Sequence, residues 1–306
     1  MRAILALALW QKCVAMLSGR RLIAGGALLL AMGASGCSTI DFAYSMAPTA
    51  LGLMAGNYLD LDGEQETALK ERLLTLRDWT RTTQMAEYSR FLNEVRARAA
   101  GKVSAEDVEW MTREGRRHWK TLGARLAADM AELAPRLTAD NLAALKRKLV
   151  RNNAEYSKDY IDATPDKQRE RRFERTKEQF ERWYGDFDEA QLARIRALTD
   201  ALPVNPRMVL EDRVRRQNAM GAVLAGLADK SIARAAGEQR LAAMLTDFER
   251  SRAPAYQAFA ATYLAQSQAL IVEVANLTTP AQRDTAQRRF KRWVDDMANL
   301  AARKEP

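Results

Sequence analysis

Apolar residues recur at three- and four-residue spacing along most of this chain. Leu69, Leu73, Leu76, Trp79, Thr83, Tyr88, Phe91 and Leu92 form one stripe near the helical period. They predict a long helix from about Asp62 to Ala100-Gly101, with Gly101 free to take the left-handed conformation that closes helices. Val108, Met111, Trp119, Leu122, Leu126 and Met130 predict the next helix, which ends at Pro135. Leu142, Leu145, Leu149 and Tyr156 mark a third; Phe173, Phe180 and Trp183 a fourth; Leu192, Ile195 and Leu198 a fifth, ending before Pro203. Met208 to Leu227 reads as helix. Leu241 to Phe248 is expected to run on into a helix over Tyr256, Phe259, Tyr263, Leu264, Leu270, Ile271 and Val274. Phe290, Trp293, Met297 and Leu300 stripe the last helix. No run of alternating β-branched residues interrupts this pattern. The fold class is therefore all-α, a single array of long antiparallel helices.

The helices share a way of starting. An apolar residue precedes Ser, Thr or Asp, and a Gln, Asp or Asn follows three residues later. Asp62/Gln65, Ser104/Asp107, Thr138/Asn141, Asp188/Gln191 and Thr279/Gln282 all fit, and Thr164-Pro165 opens another helix. Local chemistry accounts for this, because a capping oxygen accepts a bond from a free N–H of the first turn. The motif is also similar to the LTxxQ motifs of small periplasmic stress chaperones of the Spy type. Those are helical, cradle-shaped and bind unfolded clients.

The N-terminal pattern differs. Arg20 and Arg21 precede an uncharged apolar run, Leu22 to Met32, then small Ala34-Ser35-Gly36 and Cys37. This is the order of a secretory signal. About 11 apolar residues are too few to span a bilayer, which needs about 20. The segment resembles the lipobox of bacterial lipoproteins, with Ala34 where leucine is usual. The resemblance implies cleavage before Cys37 and acylation of that residue. An ordinary cleaved signal with an incidental cysteine is the alternative. In enterobacterial-type sorting, Ser38 after the cysteine is the common outer-membrane pattern. The expected place is thus the cell outer membrane, on its periplasmic face. A signal starting at Met16 has normal length, so Met16 is the expected start; a long n-region from Met1 is the alternative. Residues 1–36 are then the lipoprotein signal peptide and 37–60 a tether with a short aromatic segment. Residues 61–306 form the helical periplasmic domain, with a hinge expected near 201–209 (two prolines, Pro203 and Pro206). Within the tether, Phe42, Tyr44, Met46, Leu51, Leu53, Met54 and Tyr58 are apolar or aromatic and Pro48 interrupts them. Packing under the domain is favoured over lying against the membrane.

About 270 residues follow the leader, enough for a self-sufficient core. Cys13 lies in the leader, so Cys37 has no disulfide partner in the mature chain. The formal charge of +9 falls to about +5 once Arg2, Lys12, Arg20 and Arg21 leave. Mixed signs on solvated helices account for that excess. Attraction to an anionic envelope polymer or an envelope protein is the sharper alternative. Nucleic acid is not an expected partner.

Candidate chemistry is sparse. Arg169, Arg172 and Arg175 fall roughly on one side of their helix, interleaved with Glu170 and Glu174. A charge-laced solvent face explains them; a grip on phosphate or carboxylate is the functional alternative. His118 is the single histidine and sits among Arg116, Arg117 and Trp119, a setting unfavourable to a cation. No paired His/Cys spacing, nucleophile elbow or glycine-rich phosphate loop is present. No metal, cofactor or enzymatic activity is expected.

Several segments, in order, resemble one family. The lipobox is followed by the aromatic stretch, Leu59-Asp60-Leu61-Asp62-Gly63-Glu64-Gln65 and Leu76-Arg77-Asp78-Trp79-Thr80-Arg81. Then come Tyr88-Ser89-Arg90-Phe91-Leu92, Asn153-Ala154-Glu155-Tyr156, Glu170-Arg171-Arg172-Phe173-Glu174-Arg175 and Leu202-Pro203. These are similar to a proteobacterial lipoprotein family, domain of unknown function 6279, over nearly all of the chain after Cys37. Thr80 follows Trp79 where that family has histidine, so any role of that histidine is absent. The resemblance implies location and helical character, and no catalytic residue. The expected function is a lipid-anchored cell-envelope protein with a non-enzymatic interaction or structural role. A periplasmic chaperone-like protein that binds unfolded clients is the alternative.

Overall fold

The computed structural model describes residues 39–246 and 253–303. The expected signal peptide, with Cys13 and Met16, and Cys37 lie outside the described residues. The helices are α1 Thr39–Leu59, α2 Gly63–Trp79, α3 Met85–Arg98, α4 Ala105–Leu133, α5 Ala139–Tyr160 and α6 Pro165–Tyr184. They continue as α7 Glu189–Asp200, α8 Pro206–Ala228, α9 Arg234–Thr246, α10 Pro254–Leu277 and α11 Pro280–Ala302. No strand occurs among the described residues, so the chain is all-α.

The shared helix start proves to be more than local. Capping boxes open α2, α4, α5, α7 and α11, at Asp62/Gln65, Ser104/Asp107, Thr138/Asn141, Asp188/Gln191 and Thr279/Gln282. In four of these the third-turn-position amide also reaches another helix. Gln65 Nε2 donates to Asn141 Oδ1 (2.8 Å) and Arg136 O (2.7 Å). Asn141 Nδ2 donates to Leu59 O and Asp60 O, both at 2.9 Å. Gln191 Nε2 donates to Gln282 Oε1 (2.9 Å) and Leu277 O (3.0 Å). Gln282 Nε2 returns a bond to Gln191 Oε1 (3.0 Å) and one to Asp186 O (2.7 Å). Two pairs of helix starts, α2 with α5 and α7 with α11, are thus tied by buried amides. A third tie joins α10 to the start of α4: Asn276 accepts from Val103 N (2.9 Å) and donates to Val103 O (2.8 Å).

Four expectations need correction. Pro48 does not interrupt α1; it sits inside the helix and is buried. Proline removes one backbone bond, an interior cost of about 3 kcal/mol. Buried Ile40 and Tyr44 beside it hold α1 against α3 and α11, and Tyr44 OH donates to Arg77 O at 2.7 Å. The long second helix runs on from Gly63 to Arg98 but is not α throughout: a π turn at Thr80–Gln84 separates α2 from α3. The stripe skips five residues there, from Thr83 to Tyr88, which is the spacing of a π turn. Gly101 has no positive φ; Gly185, which closes α6, has φ 82° with ψ -166°, an extended conformation open to glycine rather than the left-handed helical one. Finally, α9 and α10 are separate helices, because Pro254 opens a new first turn. The expected hinge is a short connection between α7 and α8, in which Leu202 is buried and Asn205 caps α8 ahead of Pro206.

The core changes character along the array. Ala127, Ala131 and Ala134 of α4 and its 3-10 extension meet Leu241 of α9 and Val223, Leu224 and Leu227 of α8. Small residues let these helices approach closely: a Cβ at Gly237 would fall inside the buried Leu227 side chain. Elsewhere the packing is aromatic, with Phe173, Phe187, Phe180 and Tyr184 around Ile195 and Val274.

The tied helix starts yield a sharp test. In an ordinary capping box, Glu and Gln serve equally at this position. Here Gln191→Glu removes two donors and sets a carboxylate against Leu277 O and Gln282 Oε1 in a buried site. We expect a loss of about 2–3 kcal/mol, read as a lower urea midpoint. Wild-type stability in this variant would mean that the tie is not structural.

Candidate functional site

Where the aromatic packing is loosest, five helices surround a cavity of about 170 Å³. α3 contributes Phe91 and Val95, and α4 contributes Val108 and Met111. α6 adds Phe180 and Trp183, α10 adds Tyr263 and Leu270, and α11 adds Phe290. The aromatic rings hold one another in place. Trp183 stacks on Phe290 at 4.4 Å between centroids and meets Trp293 edge-on at 5.1 Å. Phe91 lies 5.7 Å from Trp110. Rings of this size keep their preferred offsets and cannot tile the space between helices as alanines do.

The polar groups on the cavity wall are mostly satisfied by one another. Arg98 pairs with Asp107 at 3.1 Å and Glu94 at 2.9 Å, and its guanidinium lies 4.3 Å over the Trp110 ring. The Ser104 hydroxyl and amide, together with Arg98, hold the Asp107 carboxyl below the usual carboxylate range. Burial pushes the Tyr184 phenol up to about 12 and also raises Tyr263. Both tyrosines are therefore neutral hydroxyls at physiological pH. A neutral apolar group suits these half-open walls, whose only charged lining residues among the described residues are Arg98 and Asp107.

The three arginines singled out by sequence do not share a partner. Arg169 pairs with Asp166, Arg172 faces Asp200 at 3.8 Å, and Arg175 meets the Tyr160 hydroxyl and ring. Their neighbours are similarly engaged. Arg196 bonds Glu170 at 2.7 Å and 3.1 Å, and its guanidinium lies 3.7 Å over Phe173. No group of three or more His, Cys, Asp or Glu among the described residues is placed to hold a metal ion. Sequence reasoning missed the cavity. Its stripes were read one helix at a time, and only the tertiary arrangement brings residues 91, 183, 263 and 290 together.

His118 lies on α4, beside the cavity's aromatic wall. Its ring is buried edge-on to Tyr88 (5.3 Å) and 5.2 Å from Phe91, and Nε2 has no hydrogen-bond partner. Burial, then the nearby Arg117 charge, lowers its pKa, with Glu114 and Glu87 opposing weakly. The folded chain thus prefers neutral imidazole. The unfolded chain takes up a proton near the ordinary value of about 6.5. The contribution to stability is full above that pH and is lost as pH falls through it toward the lower folded value. The carboxylates that are held low, Asp107, Glu170 and Asp229, lose theirs only as pH falls through the ordinary carboxylate range of about 4. Denaturant midpoints should therefore fall between about pH 6.5 and 5 in the wild type. His118→Gln should flatten that interval, and an unchanged slope in the variant would refute the assignment.

No curated protein and no solved structure matches this chain. One family does, over residues 57–257. The match takes in α2 to α9 and leaves out most of α1, most of α10 and all of α11, a shorter span than the sequence resemblance implied. It covers well over half of the 306 residues, and the chain belongs to the family of unknown function DUF6279.

Proposed function

We propose that this is a lipid-anchored cell-envelope protein whose helical body acts by binding rather than by catalysis. The apolar, ring-walled cavity carries the binding half of that reading. Its walls are aromatic and aliphatic, its ionic groups neutralise one another, and its tyrosines stay protonated. These properties suit recognition of a neutral apolar group and offer no base or nucleophile poised for reaction. The anchoring half rests on the order of Arg20-Arg21, Leu22–Met32, the small residues and Cys37. Acyl chains contribute about 0.8 kcal/mol per buried methylene, so more than one chain on Cys37 would hold the protein firmly. The outer membrane, periplasmic face, is the proposed location.

Each half has its own test. Cys37→Ala should leave the leader unprocessed and remove acyl label from the protein. Normal processing and unchanged labelling in the variant would sink the anchor. For the cavity, indole serves as a neutral aromatic probe. It should raise the thermal midpoint of the wild type in a saturable, concentration-dependent way. Ile271→Trp, which fills the cavity from α10, should abolish that rise. A rise that persists in the filled variant would place the probe elsewhere. Suppression of client aggregation that the filled variant loses would instead favour the chaperone-like reading.

A further inference from the structure

α1 packs against the body on one side only. Ile40, Tyr44 and Pro48 are buried, while Phe42 (65%), Met46 (42%) and Leu53 (64%) are exposed. At 100° per residue, these three fall within about 40° of one another on the helix. They form a straight apolar stripe about 17 Å long at a rise of 1.5 Å per residue. No charged residue lies between Asp41 and Asp60. The stripe is therefore costly to leave in water, and only the exposed Thr49 interrupts it with a polar, uncharged group.

Its position along the chain says what covers it. Phe42 stands five residues after Cys37. That separation is about 8 Å if the helix continues and about 18 Å if the link is fully extended. An acylated Cys37 would hold the start of α1 near the headgroups, which brings the stripe within reach of the interface. No helix among the described residues is long and apolar enough to cross a membrane. α1 would therefore lie on the surface rather than span it. Its inner face is already occupied: Tyr44 OH donates to Arg77 O, and Arg303 makes two bonds to Asp41, at 2.6 Å and 2.7 Å. What the helix does at the membrane is thus transmitted to α2 and α11.

We infer that α1 docks on a lipid bilayer surface, with Phe42, Met46 and Leu53 in the boundary between headgroups and acyl chains. The lipid on Cys37 and this stripe would then act as two signals, which together set the orientation of the body. The inference rests on the anchor reading for its geometry, but it can be tested without the anchor. The chain is expressed without its leader and with Cys37→Ser, retaining every described residue. It is then sedimented with phosphatidylethanolamine–phosphatidylglycerol vesicles. The protein should partition weakly but measurably, and F42S/L53S should lower the partition coefficient at least tenfold. Equal thermal midpoints for the two proteins would show that the variant is folded. No partition by the parent, or equal partition by the double variant, overturns the inference. A parent dimer in solution that F42S/L53S converts to monomer also overturns it, in favour of a second copy of this chain. A failed acylation result at Cys37 with successful partition removes the anchor alone. A successful anchor with no partition removes the docking face alone.

Discussion

A helix begins with four N–H groups that have no partner within it, and the eleven helices among the described residues must satisfy many such groups. Here the same side chains that do so also hold the array together. A primary amide has two donors and an acceptor oxygen with two lone pairs. At Gln191 the oxygen serves its own capping box and also accepts from Gln282, while the nitrogen crosses to Gln282 and Leu277. Gln65 and Asn141 divide their bonds in the same way, and Asn141 is only 4% exposed. Because buried amides must be fully bonded, each tie fixes where two helix starts meet and at what rotation. The partners are 76 and 91 residues apart. Short polar side chains thus set long-range register that apolar contacts alone leave loose.

With the starts fixed, the side-chain sizes decide what lies between the helices. On one side, alanines and glycines of α4, α8 and α9 bring backbones close, and leucines fill the rest without a gap. Gly237 leaves room for Leu227, and Gly226 does the same for Ile232. On the other side, α6, α10 and α11 present tryptophan, phenylalanine and tyrosine. Those rings brace one another at 4.4 to 5.1 Å around Trp183 and leave the cavity where their edges fail to meet. A void in a close-packed interior forfeits dispersion contacts. The ring-to-ring contacts offset part of that loss and keep the walls from collapsing inward.

Much of this could be read from the residues. Helical class and the starts at Asp62, Ser104, Thr138, Thr164, Asp188 and Thr279 follow from spacing and capping chemistry, which are local. The skip from Thr83 to Tyr88 even marks the π turn, although a smooth stripe was the simpler reading. What could not be read depends on neighbours remote in sequence. A cap that also bonds a second helix looks the same in sequence as a cap that does not. Pro48 reads as a break because propensity speaks for an isolated helix; burial of Ile40 and Tyr44 overrides it. Arg169, Arg172 and Arg175 share a helix face, but Arg169 turns to Asp166 of its own helix while the other two meet Asp200 of α7 and Tyr160 of α5. The cavity needs the stripes of five separate helices to converge.

The two faces of α1 pull the functional argument together. Its inner face is chosen for the body: Tyr44 finds a carbonyl, and Pro48 is tolerated because it is sealed from water. Its outer face is chosen for something else, since Phe42 and Leu53 contribute nothing to the core. A soluble helix of this length ordinarily carries charges on its outer face, and this one has none between Asp41 and Asp60. The matched family span also begins near the end of α1, at residue 57. The cavity-bearing body and the apolar outer stripe therefore belong to different parts of the design. One is the helical body, whose cavity is walled by α3, α4, α6, α10 and α11, with the α10 and α11 lining beyond the matched span. The other is α1, which holds to this body through Ile40, Tyr44 and Pro48 and turns Phe42, Met46 and Leu53 outward.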